Sequence, residues 1–362
     1  MPEACSLAVK RVDFFYDFSC PYAYLGFTQI EALCARVSAE LVWRPFLLGG
    51  VFRAIGTPDV PAQTMPPSKA RLNGLDMLRW AQRFDVPLQM PSGHPNRTVL
   101  ALRAAIASGD LPRASKALFH AYWVLARDLS QPDVVREALG SAGFDGAALV
   151  ARADDDAIKS ELRVRTDEAI AAQVFGAPTF VVTVRDEGIP DVAGELFWGQ
   201  DRLAMVERAL GGSPPIEPWR AADASLEAPR DDAPELDFYF DFSSPFAYLA
   251  ATQIEALAGH RGARLRYKPF LLGALFRGIG TPNVPLFAMP EAKQQLAQRD
   301  MLRWASHWNA PFAFPTRFPM NTVKALRMIL AAPEDRARDL VLPIFRAYWA
   351  EDRDISSDEV LL

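Results

Sequence analysis

The sequence contains few cysteines and histidines and no long apolar run. Its three cysteines, Cys5, Cys20 and Cys34, form neither a CxxC motif nor an even-numbered framework. A disulfide-stabilised secreted protein is therefore not expected, and we place the chain in a reducing, cytoplasmic compartment. Four histidines are scattered without metal-ligand spacing, so we expect no metal site. No stretch of about 18 apolar residues occurs and residues 1–10 have no apolar signal core, so we expect no membrane association.

A strong net charge is also missing. The formal net charge is −5 and no block of basic residues stands out, so nucleic acid is not an expected partner. Half of the residues are hydrophobic and 23% are charged, which is ordinary for a globular protein. A chain of 362 residues is long enough for two domains, each with its own core.

The segment from Asp13 to Tyr24 predicts a strand that leads directly into a helix. Residues 14–18 have the composition of a buried strand. Pro21 then opens a helical pattern, because proline fits the first helical turn. Cys20 is thereby placed at the helix N-cap, where we expect the unpaired N–H groups and the macrodipole to lower the pKa of its thiol. A small buried residue without a chemical role is the alternative for Cys20.

The same segment occurs a second time. Residues 237–248 match residues 13–24 at an offset of 224, with Ser244 in place of Cys20. Further matches in the same order are Arg44–Gly49 with Lys268–Gly273, Asp76–Ala81 with Asp300–Ala305, and Ala121–Trp123 with Ala347–Trp349. A repeat of this length indicates a duplicated domain and not a solenoid.

The repeat divides the chain into three regions. Residues 1–212 are expected to form a complete domain, 213–234 a linker rich in proline and mixed charges, and 235–362 a second copy that is incomplete at its C-terminal end. The second copy stops in what reads as the middle of a helix. Either the chain is truncated, or the second half completes its fold in another way.

The first copy predicts a mixed α/β fold. The expected order is a strand at about 11–18, a helix at about 21–37, a strand at about 40–46, a helical region at about 65–174, strands at Thr179–Val184 and near Trp198, and a last helix to about Leu210. A βαβ start and a ββα finish separated by helices predict a thioredoxin-like domain with a helical insertion. We therefore expect this domain to be duplicated in tandem, with the second copy truncated.

Several motifs in this order resemble one enzyme family. They are the Asp-Phe-x-Ser/Cys-Pro-Tyr/Phe-x-Tyr junction, Pro45–Gly49, Asp76–Ala81, Gly176–Phe180 and Phe197–Leu203. Together they resemble the 2-hydroxychromene-2-carboxylate isomerases, relatives of the kappa-class glutathione transferases and, more distantly, of the disulfide oxidoreductases. The resemblance covers nearly all of residues 11–212, and residues 236–362 as far as that copy extends. It implies glutathione as the cofactor and a small aromatic carboxylate as the substrate.

The resemblance also implies which residues meet glutathione. The residue before the helix-opening proline, Cys20 in one copy and Ser244 in the other, is implied to lie beside the glutathione sulfur. Ala177–Pro178 matches a loop whose cis-proline faces the active site and exposes backbone groups to a bound peptide, with an ordinary trans turn as the alternative. Gln200 and Asp201 match the segment that meets the γ-glutamyl end, although an aspartate also suits a helix start.

Two basic residues match positions that line the relatives' cleft. Arg53 and Lys69 suit the carboxylates of glutathione or of an aromatic acid, and solvated surface charges are the alternative. The chain departs from the family at Thr57 and Thr281, where asparagine is usual.

Three functions remain open. The first is a glutathione-dependent isomerase, in which reversible addition of the thiol permits rotation about a double bond. The second is a glutathione-linked thiol–disulfide oxidoreductase or transferase that uses Cys20, which the absence of a resolving cysteine at Ala23 weakens. The third is that one or both copies are non-catalytic and that the tandem arrangement serves as a pseudo-dimeric binding module. Whichever function holds, we expect a homodimer or an intrachain pseudo-dimer. Because the second copy has no match to Pro178 or Asp201, we expect it to bind glutathione poorly despite Ser244.

Overall fold

The computed structural model describes residues 9–58, 64–185, 194–215, 217–223 and 232–362. The chain divides into two compact units, Met1–Glu217 and Pro218–Leu362. Cys5 lies outside the described residues, and so does part of the predicted linker 213–234.

A four-stranded mixed sheet forms the centre of the first unit, in the order β2-β1-β3-β4. The strands are β1 (Val9–Tyr16), β2 (Glu40–Pro45), β3 (Thr179–Arg185) and β4 (Glu195–Trp198). β1 runs parallel to β2 and antiparallel to β3, and β3 pairs antiparallel with β4. Phe14, Phe15 and Tyr16 are at most 5% exposed. Because β1 is covered on both faces, its sequence is an apolar run and not an alternating pattern.

The helices of the first unit surround this sheet. They are α1 (Pro21–Val37), α2 (Leu48–Ala54), α3 (Pro67–Arg83), α4 (Val99–Ala107), α5 (Leu111–Trp123), α6 (Pro132–Ser141), α7 (Gly146–Arg152), α8 (Asp156–Ala171) and α9 (Leu203–Ala209), with a 3-10 turn at Gln200–Arg202 before α9. The inserted helices are anchored to the end of β1 by Trp123, whose Nε1 donates to Phe18 O at 2.8 Å. The ring of Phe119 lies 4.9 Å from that of Phe18 and adds an apolar contact at the same place.

These elements confirm the predicted α/β class, a thioredoxin-like domain with a helical insertion. The bounds of α1 agree with the prediction. The helical region predicted over 65–174 is wrong in one respect, because residues 84–98 separate α3 from α4 and are not helical. Pro87, Pro91 and Pro95 lie in that stretch. Each proline removes a backbone donor and clashes with the preceding turn, so a helix cannot continue through them.

The second unit repeats the first part of this architecture. Its strands β5 (Glu235–Phe240) and β6 (Arg264–Pro269) form a two-stranded parallel sheet. Its helices are α10 (Pro245–His260), α11 (Leu272–Gly278), α12 (Glu291–His307), α13 (Val323–Ala331), α14 (Glu334–Trp349) and α15 (Asp358–Leu361). Trp349 Nε1 donates to Phe242 O at 2.8 Å, as Trp123 does to Phe18 in the first unit. Residues 235–362 therefore repeat the architecture of the first part of the first unit, which fits a duplication in tandem.

The second unit exposes a face that the first unit buries. Residues 232–362 contain no counterpart of α8, which packs against α2 in the first unit, or of β3. Val51 on α2 is 0% exposed, whereas its counterpart Leu275 on α11 is 45% exposed. Phe15 on β1 is 5% exposed, whereas its counterpart Tyr239 on β5 is 64% exposed. The two copies thus place similar apolar residues in different surroundings.

Two residues of the predicted linker, Trp219 and Ala221, belong to the second unit and bond to its helices. Trp308 Nε1 donates to Trp219 O at 2.9 Å, and Ala221 N donates to Gln253 Oε1 at 2.6 Å. These residues therefore pack with the second unit, and the linker boundaries 213–234 stay a prediction.

Candidate active site

Cys20 lies at the junction between β1 and α1. Pro21 is the first residue of α1, and Cys20 has the extended backbone of an N-cap residue, with φ −92° and ψ 117°. Its side chain is buried, and its Sγ donates to the carbonyl oxygen of Ala177 at 3.0 Å. The thiol therefore contacts the loop before β3, which is 157 residues further along the chain.

The predicted lowering of the Cys20 pKa is wrong. Burial raises the pKa of the Cys20 thiol from its ordinary value of 9.0 to about 12. The backbone N–H groups of Ala23 and Tyr22 act in the opposite direction, and Asp17 adds a further small increase. A helix N-terminus does favour a thiolate, but the loss of hydration around a buried sulfur disfavours it more. At neutral pH, Cys20 is a protonated thiol that donates a hydrogen bond.

The peptide bond between Ala177 and Pro178 is cis, which confirms that prediction. Pro178 O accepts a hydrogen bond from Gly199 N at 3.0 Å, which fastens this loop to the start of the 3-10 turn. On the side of α1, Gly26 provides the space for the loop. A methyl group added at Gly26 would lie 3.1 Å from Phe180 Cζ and 3.4 Å from Pro178 Cγ. The loop is therefore held between α1 and the turn, with Ala177 at the Cys20 thiol.

Gln200 and Asp201 lie in the turn between β4 and α9. Gln200 is buried, and Asp201 forms an ion pair with Arg202. The turn packs against α1. Gly199 precedes it with φ +104°, a conformation that glycine adopts without the steric cost of a side chain. The structure thus brings Gln200 and Asp201 to the helix that Cys20 caps.

Tyr22 lies close to Cys20, and the junction motif includes its position only as tyrosine or phenylalanine, without a role. Its hydroxyl donates to Asn73 Oδ1 on α3 at 2.9 Å. Burial is the largest cause that raises its pKa, followed by Asp76, and Cys20 and Asp201 act in the same direction. Tyr22 therefore lies within electrostatic range of both Cys20 and Asp201. The signal in the sequence is that the second copy has Phe246 at this position, so the hydroxyl belongs to the first copy alone.

A buried carboxylate, Asp17, organises the turn before Cys20. Asp17 Oδ1 accepts from Thr98 Oγ1 at 2.7 Å and from Ser19 N at 3.0 Å, and Oδ2 accepts from Leu48 N at 2.9 Å. These bonds join the end of β1 to the starts of α2 and α4. Asp241 makes the equivalent three bonds in the second unit. The sequence signal for Asp17 is therefore its recurrence at the shared offset.

Arg53 and Lys69 are exposed, on α2 and α3 respectively. Among the residues that the structure describes, neither side chain forms a hydrogen bond or an ion pair with Cys20 or its neighbours. Their role as carboxylate ligands stays a prediction. Arg277, the counterpart of Arg53, does line a cavity in the second unit.

Ser244 caps α10 in the second unit. Its Oγ accepts from Ala247 N at 3.2 Å, and the residue lines a cavity of about 590 Å³. Residues 232–362 contain no counterpart of the Ala177–Pro178 loop or of the Gln200–Arg202 turn. Ser244 and Cys20 therefore share a place in the fold and the turn before it, but in the described residues Ser244 has no counterpart of the loop that contacts Cys20.

The described ranges of the chain contain no group of three histidine, cysteine or carboxylate side chains arranged to hold a metal ion. None of the helices in these ranges is long and apolar enough to cross a membrane.

Comparison with known proteins finds one family that matches both units. The family model for the DSBA-like thioredoxin domain matches residues 11–211 and 235–362. A 2-hydroxychromene-2-carboxylate isomerase of Pseudomonas sp. (strain C18) is 30% identical over 207 residues, which cover 56% of this chain and 91% of the relative. Glutathione S-transferase kappa 2 of Caenorhabditis elegans is 29% identical over 208 residues, which cover 54% of this chain and 90% of the relative. A solved structure of a 2-hydroxychromene-2-carboxylate isomerase matches 56% of this chain and 94% of its own, with 25% identity and a TM-score of 0.48.

Proposed function

This chain belongs to the family of DSBA-like thioredoxin domains, and from this premise we propose that its first unit is a glutathione-dependent isomerase of the 2-hydroxychromene-2-carboxylate type. Relatives named as isomerases and as kappa-class glutathione transferases support an enzyme of this family. The observation that carries the proposal is the position of Cys20. It is a buried thiol at the N-terminus of α1, with its Sγ 3.0 Å from Ala177 O in the cis-proline loop.

The residues around Cys20 fit a bound glutathione. The N-terminus of α1 favours a sulfur anion beside Cys20. The Cys20 thiol is protonated, and its single hydrogen can be donated to that sulfur in place of Ala177 O. The backbone of Ala177 then supplies hydrogen-bonding groups for a peptide. The Asp201 carboxylate supplies a negative charge for the cationic amino group of the γ-glutamyl end.

When bound, glutathione supplies a thiolate that adds reversibly to the unsaturated substrate, so that rotation about the former double bond becomes possible. The chain's own residues position the reactants and stabilise charge. Cys20 donates a hydrogen bond to sulfur, and the N-terminus of α1 offsets negative charge there. To the exposed cations Arg53 and Lys69 we assign the carboxylates of glutathione and of the aromatic acid.

A thiol–disulfide oxidoreductase that uses Cys20 is the alternative, and two observations weigh against it. A pKa of about 12 leaves little thiolate at neutral pH, whereas thiol exchange requires the thiolate. Cys34, the other cysteine in the described ranges, lies 14 residues beyond Cys20 on α1. At the rise of an α-helix this is roughly 21 Å, too far for a disulfide between them.

The test is the isomerisation of 2-hydroxychromene-2-carboxylate with and without glutathione. We expect wild-type activity to require glutathione and to persist in Cys20→Ser, because a hydroxyl donates in the same way and Ser244 occupies the equivalent cap. In Cys20→Ala we expect a loss of about ten- to a hundredfold, because a hydrogen bond to a charged group is worth about 1.5–3 kcal/mol. Cys34→Ser is the matched control and keeps the activity.

Two outcomes would contradict the proposal. One is isomerisation that proceeds at the same rate without glutathione. The other is thiol–disulfide exchange that the wild type catalyses and Cys20→Ser does not, with a glutathione adduct on Cys20 seen by mass spectrometry. The second outcome would favour the oxidoreductase.

A further inference from the structure

The second unit contains a cavity that the proposed function does not use. Its volume is about 590 Å³, and all of its lining residues belong to this unit. It lies at the N-terminus of α10, between residues of α11 and α12. Small-molecule sites in proteins have volumes of about 300–1,000 Å³. The cavity is therefore large enough for a ligand of moderate size.

The walls of this cavity are mainly apolar. Large apolar side chains that line it include Phe246, Leu271, Phe276, Met289, Met301 and Phe318. Phe246 is 52% exposed and Leu271 is 40% exposed. An apolar ligand would remove these side chains from water, which is favourable in proportion to the area covered. The lining therefore favours a ligand with an apolar body.

Two charged residues line the cavity, Asp241 and Arg277. The Asp241 carboxylate is buried and engaged, since it accepts from Thr322 Oγ1 at 2.7 Å, Ser243 N at 2.9 Å and Leu272 N at 2.8 Å. Arg277 is exposed. Within the described ranges no hydrogen bond or ion pair engages its guanidinium. The charge offered to a ligand is therefore positive.

Ser244 adds an oriented hydrogen-bond donor. Its oxygen accepts from Ala247 N, so its hydroxyl hydrogen remains to be donated. The N-terminus of α10, a helix of 16 residues, lies at the same place and favours negative charge. Apolar walls, a cation and this donor together match a molecule with one apolar body and one anionic group.

Glutathione does not match this cavity. It is a polar tripeptide with two carboxylates and one ammonium group. In the first unit the Ala177–Pro178 loop contacts Cys20, and the Gln200–Arg202 turn packs on α1, the helix that Cys20 caps. Residues 232–362 have no counterpart of this loop or of this turn. Residues 235–362 also contain no cysteine, so the second copy has no thiol of its own.

We propose that the second unit binds an apolar monocarboxylate in this cavity, without glutathione and without converting it. The carboxylate is held by Arg277 and Ser244, and the apolar body lies against Phe246 and Met301. This site does not depend on the proposed function, which concerns the first unit.

Calorimetric titration of the full chain with 2-naphthoate, in the absence of glutathione, tests this site. We expect one 2-naphthoate to bind in the cavity of the second unit, with the neutral 2-naphthamide binding there about tenfold more weakly. Arg277→Gln should raise the Kd of 2-naphthoate about tenfold, because it removes one charge-assisted contact. The matched control is Arg299→Gln, an exposed arginine on α12 outside the cavity, which leaves the Kd unchanged.

A cavity-filling variant locates the site. Ala297 lines the cavity, so Ala297→Phe should abolish binding of 2-naphthoate. If Ala297→Phe does not fold, as judged by circular dichroism, the Arg277→Gln titration decides alone. The proposal is overturned if wild type does not bind 2-naphthoate, if binding requires glutathione, or if both variants bind as wild type does. None of these results depends on isomerase activity, so this proposal and the proposed function can fail separately.

Discussion

At the scale of single residues, Cys20 and Ser244 show how surroundings decide chemistry. Both precede the first proline of a helix and both have an extended N-cap backbone. Cys20 is covered by the loop that carries Ala177, whereas the described part of the second unit has no such loop at Ser244. Burial, and not the helix dipole, therefore determines the protonation state at position 20.

The raised pKa of Cys20 predicts a dependence of stability on pH. The folded state keeps the Cys20 proton at pH values where the unfolded chain has lost it, so the free energy of unfolding falls as the pH rises from about 9 toward 12. Between about pH 9 and 11, we expect the free energy of unfolding of wild type to fall faster than that of Cys20→Ser. The difference between the two slopes should be about 1.4 kcal/mol per pH unit. Urea unfolding at a series of pH values measures both slopes. Equal slopes would mean that the thiol is hydrated in the folded state.

At the scale of elements, the contact between α1 and the cis-proline loop depends on a glycine. Gly26 faces Phe180 and Pro178, and Phe180 is buried, with its ring stacked on that of Phe14 at 5.3 Å. The second copy has Ala250 at this position, in a unit whose described residues include no such loop. The choice between glycine and alanine thus follows from whether another element approaches the helix.

This difference predicts unequal responses to the same new side chain. Gly26→Val should destabilise the protein by about 1–3 kcal/mol, because the added methyl groups meet a packed ring and a proline that cannot move apart freely. It should also raise the KM for glutathione, since the loop that carries Ala177 would shift. Ala250→Val is the matched control on α10, where we expect less than about 1 kcal/mol. Urea unfolding and glutathione titration of both variants test this, and equal losses would contradict the packing that we describe.

Elements whose signals are local could be predicted from the sequence, and features that depend on distant contacts could not. Pro21 sets the start of α1, and the motif around Pro178 identified its cis bond. The shift of the Cys20 pKa is opposite in direction to the predicted one, because the residue that buries the thiol lies 157 residues away in the chain. Tyr22 was missed because its neighbours Asp76 and Asp201 come from other elements. The prolines of residues 84–98 are also a local signal, and they should have interrupted the predicted helical region.

At the scale of the whole molecule, corresponding residues of the two copies are buried in the first unit and exposed in the second. Val51 on α2 is fully buried, whereas its counterpart Leu275 on α11 is 45% exposed. The first unit covers this face with α8, and the described part of the second unit has no equivalent helix. The second copy therefore gains less from burying similar residues.

A pair of truncations tests this asymmetry. Val51→Ala should reduce the free energy of unfolding by about 1.5–3 kcal/mol, because it removes fully buried methyl groups. Leu275→Ala removes a larger side chain but should cost less than about 1 kcal/mol, because much of that side chain is already in water. Urea unfolding of the full chain with both variants gives the comparison. A loss for Leu275→Ala as large as that for Val51→Ala would show that this face is covered in solution.

The Asp17 carboxylate has a consequence for building chimaeras from this protein. It connects the end of β1 to Thr98, the residue before α4, so the inserted helices and the turn that carries Cys20 are fastened by one side chain. A chimaera in which the inserted helices are replaced by those of a relative must therefore keep both Asp17 and Thr98. Without the threonine, the buried Asp17 carboxylate would lose one hydrogen-bond donor, and the turn that carries Cys20 would no longer be bonded to the inserted helices.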